Sequence, residues 1–282
     1  MSGGDPAYLM RMHGRSRRPG LHWKAAVLLL TLAVCRAPAE ATEPDPIYLR
    51  FEILGGPGVH FMTLQAIVGY ARETYTISAE AETRGLTDLL LDLRSRLEVH
   101  GKVTAVALRP DALRADTHRR GADYHTRVEY RADGGVSAEL SPPPDSRVTP
   151  VTPPQMRGTI DQLTGYLALA RTMATRGVCT LRLKVFDGRR RYDLEFTDAP
   201  GETLPGIGTT QVCRMARYRI AGFPLDAGGS GTRDQGRVWF ANLLSQGELA
   251  IPARVEFIGE LGTFIAELAE LRGRGVHLRF TQ

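Results

Sequence analysis

The chain has 282 residues, 36 of them Lys or Arg and 31 Asp or Glu, for a formal net charge of +5. Residues 1–41 carry six of the basic side chains (Arg11, Arg15, Arg17, Arg18, Lys24 and Arg36) and two acidic ones, Asp5 and Glu40. Without that segment the charge is close to neutral, which removes the electrostatic case for a nucleic-acid partner.

Residues 10–41 read as an export signal. Basic residues come first, an uncharged run follows from Ala25 to Val34, and Ala39-Glu40-Ala41 closes with a small-x-small pattern. The run is too short to span a bilayer, so it is read as a signal cleaved after Ala41. Two variants of this reading have partial support. Ser16-Arg17-Arg18 is like a twin-arginine signal, with Pro19-Gly20 where a large apolar residue belongs. Leu32-Ala33-Val34-Cys35 is like a lipobox, with the bulky Val34 out of place. The expectation is a periplasmic product, residues 42–282, folded as a single mainly-β domain with no transmembrane segment.

Ile47–Leu54, His60–Gly69 and Glu73–Thr83 read as strands. The third alternates cleanly, with Tyr75, Ile77, Ala79 and Ala81 on one face and Thr74, Thr76, Ser78 and Glu80 on the other. Such alternation marks an antiparallel sheet with one dry face. Leu86–Leu93 is either a short helix or a bulged continuation. Arg94–His100, Leu113–Arg119 and Tyr124–Ala132 continue the strand pattern, and Asp133-Gly134-Gly135 makes a turn. The proline-rich stretch Ser141–Pro154 is excluded from a central strand. We read it as a long ordered loop crossing one end of the sheet.

The main helix is expected near 159–174, opened by a Thr159-x-x-Gln162 capping box and stopped at Gly177. Its apolar face carries Ile160, Leu163, Leu167 and Ala170. Strands resume at Thr180–Phe186 and Arg189–Phe196, joined across Asp187-Gly188 as a two-residue hairpin. Val212–Ile220, Arg237–Leu243, Glu248–Ile258 and Val276–Phe280 complete the set, and Thr263–Leu271 is read as a strand despite a helix-compatible spacing. The fold class is therefore an antiparallel meander, strongly curved or an open barrel, with one main helix.

Of the three cysteines, Cys35 leaves with the signal. Cys179 and Cys213 form one disulfide in the simplest reading; two separate buried thiols are the alternative. The pair would close a loop of roughly 35 residues, worth about 3–4 kcal/mol on the chain-entropy model.

Arg189, Arg190 and Arg191 follow a tight turn and concentrate charge at a hairpin tip, with Arg189 and Arg191 on one side of the strand. The functional reading is an anion contact through guanidinium forks. Pairing with Asp187, Asp193 or Glu195 is the structural alternative. The string Gly158–Thr164, the segment Val185–Leu194, Cys213, Trp239-Phe240-Ala241 and Ile251-Pro252-Ala253-Arg254 together resemble the domain of unknown function 3108 family. That resemblance implies an exported, mainly-β protein of the bacterial envelope. It supplies neither an activity nor catalytic residues, and by fold analogy it suggests a sheet curved like those of lipocalins or lipoprotein carriers.

Catalytic signatures are not found. Gly228-Gly229-Ser230-Gly231-Thr232 fails the Gly-x-Ser-x-Gly spacing, and no His-Glu-x-x-His or P-loop occurs. His118 and His125, near Asp116 and Asp123, are better read as surface histidines than as metal ligands. Asp161 suits a helix N-terminus. Trp239 and Phe240 face opposite sides, so that one of them is available to line a cavity. We expect no cofactor. The leading expectation is a non-enzymatic binding or assembly protein, taking a lipid, acyl or anionic ligand in a β pocket. The alternatives are an envelope hydrolase built on His125 with Asp116 or Asp193, and a structural partner of another envelope protein.

Overall fold

The structure is a computed structural model that describes residues 44–56, 58–225, 231, 233–259 and 262–280. The expected export signal lies outside the described residues, as does most of the 228–232 loop. The described part is one 14-stranded antiparallel sheet, not closed, with three helices.

The first meander comprises β1 (Ile47–Gly55), β2 (Val59–Tyr70), β3 (Thr74–Thr83), β4 (Arg94–Val103), β5 (Leu108–Arg119), β6 (Ala122–Tyr130) and β7 (Val136–Ser141). A short helix, α1 (Leu86–Leu91), joins β3 to β4 and settles the ambiguity of that stretch in favour of a helix. After α2 (Pro153–Met156) and α3 (Gln162–Arg176) come β8 (Leu181–Phe186), β9 (Arg191–Leu204), β10 (Gly208–Ala221), β11 (Arg233–Ala241), β12 (Ile251–Gly259), β13 (Gly262–Gly273) and β14 (Val276–Arg279). The meanders join where β1 pairs with β13, which gives the order β7 to β1, then β13 to β8. β14 pairs with β13 off this path.

Alternation decides which way each strand faces. On β3, Tyr75, Ile77 and Ala79 are buried, as the pattern predicts, while Thr74, Thr76 and Glu80 are exposed. The outer face carries cross-strand ion pairs such as Arg96–Glu80 (3.4 Å). α3 lies on the inner face. Tyr75 Oη is 2.7 Å from Thr164 Oγ1, Gly165 faces Leu183 and Val185 on β8, and Arg171 Nη2 donates to the carbonyl of Thr104 at 2.8 Å.

Two sequence expectations are corrected and one strand is added. The α3 N-cap is Asp161, whose Oδ1 accepts from Thr164 N at 2.8 Å, whereas Thr159 Oγ1 donates to the Met156 carbonyl. A buried Asp that reaches its own N3 amide displaces the Thr-x-x-Gln box. The β8–β9 turn is a four-residue loop, Asp187 to Arg190, because the Asp187 carboxylate accepts from the amides of both Arg189 and Arg190. Arg191 alone of the three arginines is therefore on the strand. Finally, Val136–Ser141 is a strand that the turn-rich sequence around it concealed.

The sheet edges are covered rather than zipped together. Ile160 bridges β8 through Ile160 N to the Lys184 carbonyl and Phe186 N to the Ile160 carbonyl, both 2.9 Å. This uses up edge groups that would otherwise template another strand. The β8–β9 loop then meets the first meander side by side. Tyr130 Oη donates to the Phe186 carbonyl (2.8 Å), and Arg189 Nη2 donates to the Ser141 and Pro142 carbonyls (both 3.2 Å). Gly188, at φ +94, lies against Thr126 and Val128, and a Cβ there would collide with Thr126 Cγ2. The 141–154 loop is ordered as expected: Thr149 bonds to Gly222 and Phe223, and Val148 bridges Pro224.

Candidate ligand-binding groove

Between α3 and the inner face of the sheet runs an apolar groove of about 260 Å³. Leu163, Tyr166, Leu167 and Ala170 line it from the helix. Ile47, Leu49 and Phe51 of β1, Ile77 and Ala79 of β3, and Phe240 of β11 are among the residues facing them. Among the described residues, no charged side chain lines it, and Tyr166 brings the only side-chain hydroxyl. The groove exists because small residues stand where large ones would close it: Ala66, Ala79 and Ala266 on the sheet and Ala170 on the helix. Of the adjacent pair Trp239 and Phe240, Phe240 is the one that faces the groove, while Trp239 Nε1 donates to Glu202 Oε2 at 2.8 Å.

Both ends of α3 are anchored, which holds the groove open. At its start, Asp161 is fully buried and also accepts from Thr164 Oγ1 at 2.6 Å; burial pushes its carboxyl above the ordinary range. At its end, Cys179 and Cys213 form the disulfide, and Met173 Sδ lies 3.6 Å from Cys213 Sγ. Tyr166, 38% exposed, lines the groove from the helix.

On β10, near Tyr166, is a cluster the sequence did not announce. Arg217 and Arg219 share the Asp234 carboxylate, with Arg217 Nη2 and Arg219 Nη2 each 2.7 Å from its oxygens. Arg217 also stacks on Phe257, 4.5 Å from the ring centre. Residues 217, 219 and 234 come together only through the β10–β11 register, which pairs Arg217 with Asp234.

The three arginines singled out in the sequence point three ways. Arg189 bonds to carbonyls of the β6–β7 edge and covers the Tyr124 ring at 5.2 Å. Arg191 is 6% exposed, with Nε on the Gln155 carbonyl (2.9 Å) and Nη1 on Asp193 (2.6 Å). Arg190 is exposed, its guanidinium 5.5 Å from the Phe223 ring centre.

His118 and His125 lie on the outer face, directly opposite Asp123 and Asp116 respectively. His118 Nδ1 meets Asp123 at 2.7 Å and Nε2 meets Asp92 at 3.0 Å, and these carboxylates raise its pKa. His125 pairs with Asp116 at 2.7 Å, while Asp193 is bonded to Arg191 on β9, so the structure divides the His125–Asp116–Asp193 set. Among the described residues, no group of three or more His, Cys, Asp or Glu is placed to hold a metal ion, and no helix is long and apolar enough to cross a membrane.

An open, curled antiparallel sheet that holds a helix against its inner face, with an apolar groove between them, defines a barrel-like protein with a single interior. The chain belongs to the family described as "Protein of unknown function (DUF3108)", which it matches over residues 50–269. Solved structures similar to it include a β-barrel-like protein of domain of unknown function DUF1849 from Brucella abortus. That structure is 12% identical, with 82% of this chain and 98% of that chain covered and a TM-score of 0.46. Another is the hypothetical protein CT021 from Chlamydia trachomatis, 8% identical, with 83% and 91% covered and a TM-score of 0.29. No curated protein matches the chain.

Proposed function

We propose that this is an exported, non-enzymatic binding or assembly protein of the periplasm that holds an acyl or other apolar chain between α3 and the sheet. The observation that carries the reading is the groove itself, about 260 Å³ lined without a charged side chain. It is slightly smaller than the roughly 300–1,000 Å³ usual for small-molecule sites, which suits one slender chain better than a bulky ring system. A chain hiding about 200 Å² of apolar surface there would gain roughly 5 kcal/mol from the hydrophobic effect. Export is supported by the Cys179–Cys213 disulfide, since such bonds persist in oxidising compartments. Of the expected anion contacts, Arg189 and Arg191 are engaged with carbonyls and Asp193, which leaves exposed Arg190 the best placed to meet an anionic ligand.

Native mass spectrometry of protein purified from periplasm, before and after organic extraction, tests this reading. A removable adduct of lipid-like mass is the expected result. The Ala266→Phe variant, which places a ring in the groove, should carry none. An apo mass before extraction, together with no uptake of added alkyl ligands, would overturn it.

A further inference from the structure

A second cavity, of about 440 Å³, adjoins the groove: Ile47 and Leu249 line both. Its character is the opposite of the groove's. Arg72, Arg171 and Arg274 line it, and Glu248 is the one acidic residue among the described residues that do, so the formal charge of this lining is positive. Arg171 uses Nη2 on the Thr104 and Ala105 carbonyls (2.8 and 3.2 Å). Arg274 uses Nη2 on the Tyr70 carbonyl (2.6 Å), and Nη1 reaches Glu248 Oε1 only at 3.5 Å. Arg274 Nε and Glu248 Oε2 are both buried without a hydrogen-bond partner. Buried donors and acceptors are nearly always satisfied, so these two residues, both of which line the cavity, are incompletely paired within the protein, and the unsatisfied donor is on the arginine.

The backbone supports the same reading. Arg274 occupies the β13–β14 turn, where Gly273 pairs with Val276. Arg274 and Gly275 both have positive φ, +53 and +78. A two-residue turn of this kind favours Asn-Gly, because Asn tolerates the left-handed region far better than a long side chain does. Arginine is the wrong residue for the turn and the right one for the cavity, where its side chain is only 12% exposed.

We propose that this cavity seats the anionic head, a carboxylate or a phosphate, of an amphiphile whose chain lies in the adjoining groove; the inference rests on the groove reading above. Arg274 and Arg171 supply the guanidinium donors, exposed Arg72 adds positive charge to the lining, and Glu248 limits the affinity by repulsion.

The test is calorimetric titration of the protein with dodecanoate, dodecyl phosphate and dodecanol, repeated for R274N, R171Q and E248Q. The expected result is that at least one charged ligand binds tenfold or more tightly than dodecanol. R274N, which suits the turn, and R171Q, which alters a different element, should each bring that ligand down toward dodecanol's affinity, while E248Q tightens it. Preference between the two charged ligands separates a fatty-acid head from a phosphate head. Equal binding of all three would overturn the head-group site and leave the groove reading standing. Charged preference that survives both arginine variants would place the head elsewhere and overturn the assignment. No binding of any of the three would remove the groove reading and this inference with it.

Discussion

Asp161 carries two roles that pull its protonation in opposite directions. It caps α3 by accepting from Thr164 N and Oγ1, which favours the carboxylate, but it is wholly buried, and burial prevails and raises its pKa. Asp187, half-buried at the start of the β8–β9 loop, is likewise raised by desolvation. A carboxyl raised on folding keeps its proton in the folded chain after the unfolded chain has lost it. Stability is then full below the ordinary carboxylate value of roughly 4 and falls as pH rises from there toward the folded pKa. Asp161→Asn still caps the helix and does not ionise. Urea unfolding across pH 4–7 should show a shallower decline for this variant than for the wild type, with Asp187, and His118 above about pH 6.5, contributing to the remainder. Gly188→Ala should lower stability by more than about 1 kcal/mol in the same assay, because it combines a positive φ with a collision at Thr126.

At the scale of elements, the position of α3 depends on ties at its two ends. The C-terminal tie joins the residue two past the Gly177 stop to β10, across 34 residues of sequence. The Cys179→Ser/Cys213→Ser variant should lose about 3–4 kcal/mol of unfolding free energy, and it should loosen the last turns of α3 first, seen as faster amide exchange at 170–176 than at 162–166. The β1–β13–β14 junction responds to acid in the opposite sense from Asp161. Glu270 on β13 accepts from His277 at 3.0 Å and lies near Arg279 and Arg272, so its carboxyl is held below the ordinary range. That contribution is present above the ordinary glutamate value and is lost as pH falls through the folded pKa. Glu270→Gln should therefore destabilise at pH 7 and converge on the wild type in acid, measured by thermal melts at both pH values.

For the whole molecule, the consequential feature is a sheet that curls without a closing ladder. Side-chain bonds from Tyr130 and Arg189 join its two ends, and α3 occupies the interior that a closed barrel of this strand number would leave wide. The unfilled space between helix and sheet is where we place the ligand. Ala266→Phe should abolish uptake of an alkyl probe while leaving the melting temperature within a few degrees of the wild type, since it fills a void rather than crowding a packed core. A large drop in melting temperature would show instead that the space is needed for packing.

Much of this architecture was legible in the chain. Period-2 alternation at Tyr75–Ala81 named the inner face of β3, Gly177 named the end of α3, and the even pair Cys179 and Cys213 named the disulfide. These are local signals, set by side-chain alternation, backbone freedom and count. The helix cap and the β8–β9 turn were misread because Asp161 and Asp187 bond amides two or three positions along the chain, and these local bonds won over two competing local patterns, the Thr159-x-x-Gln162 box and the Asp187-Gly188 pair. The candidate site was hardly legible at all. Ala66, Ala79, Ala170 and Ala266 are unremarkable in sequence and make a groove only when α3 is laid across β1–β3. The conspicuous run Arg189–Arg191 was dispersed by its loop, whereas Arg171 and Arg274, 103 positions apart in the numbering, were brought to one cavity. Local pattern determined which residues are dry and where the chain turns; register and curvature, which depend on pairings across the whole sheet, decided which of them meet.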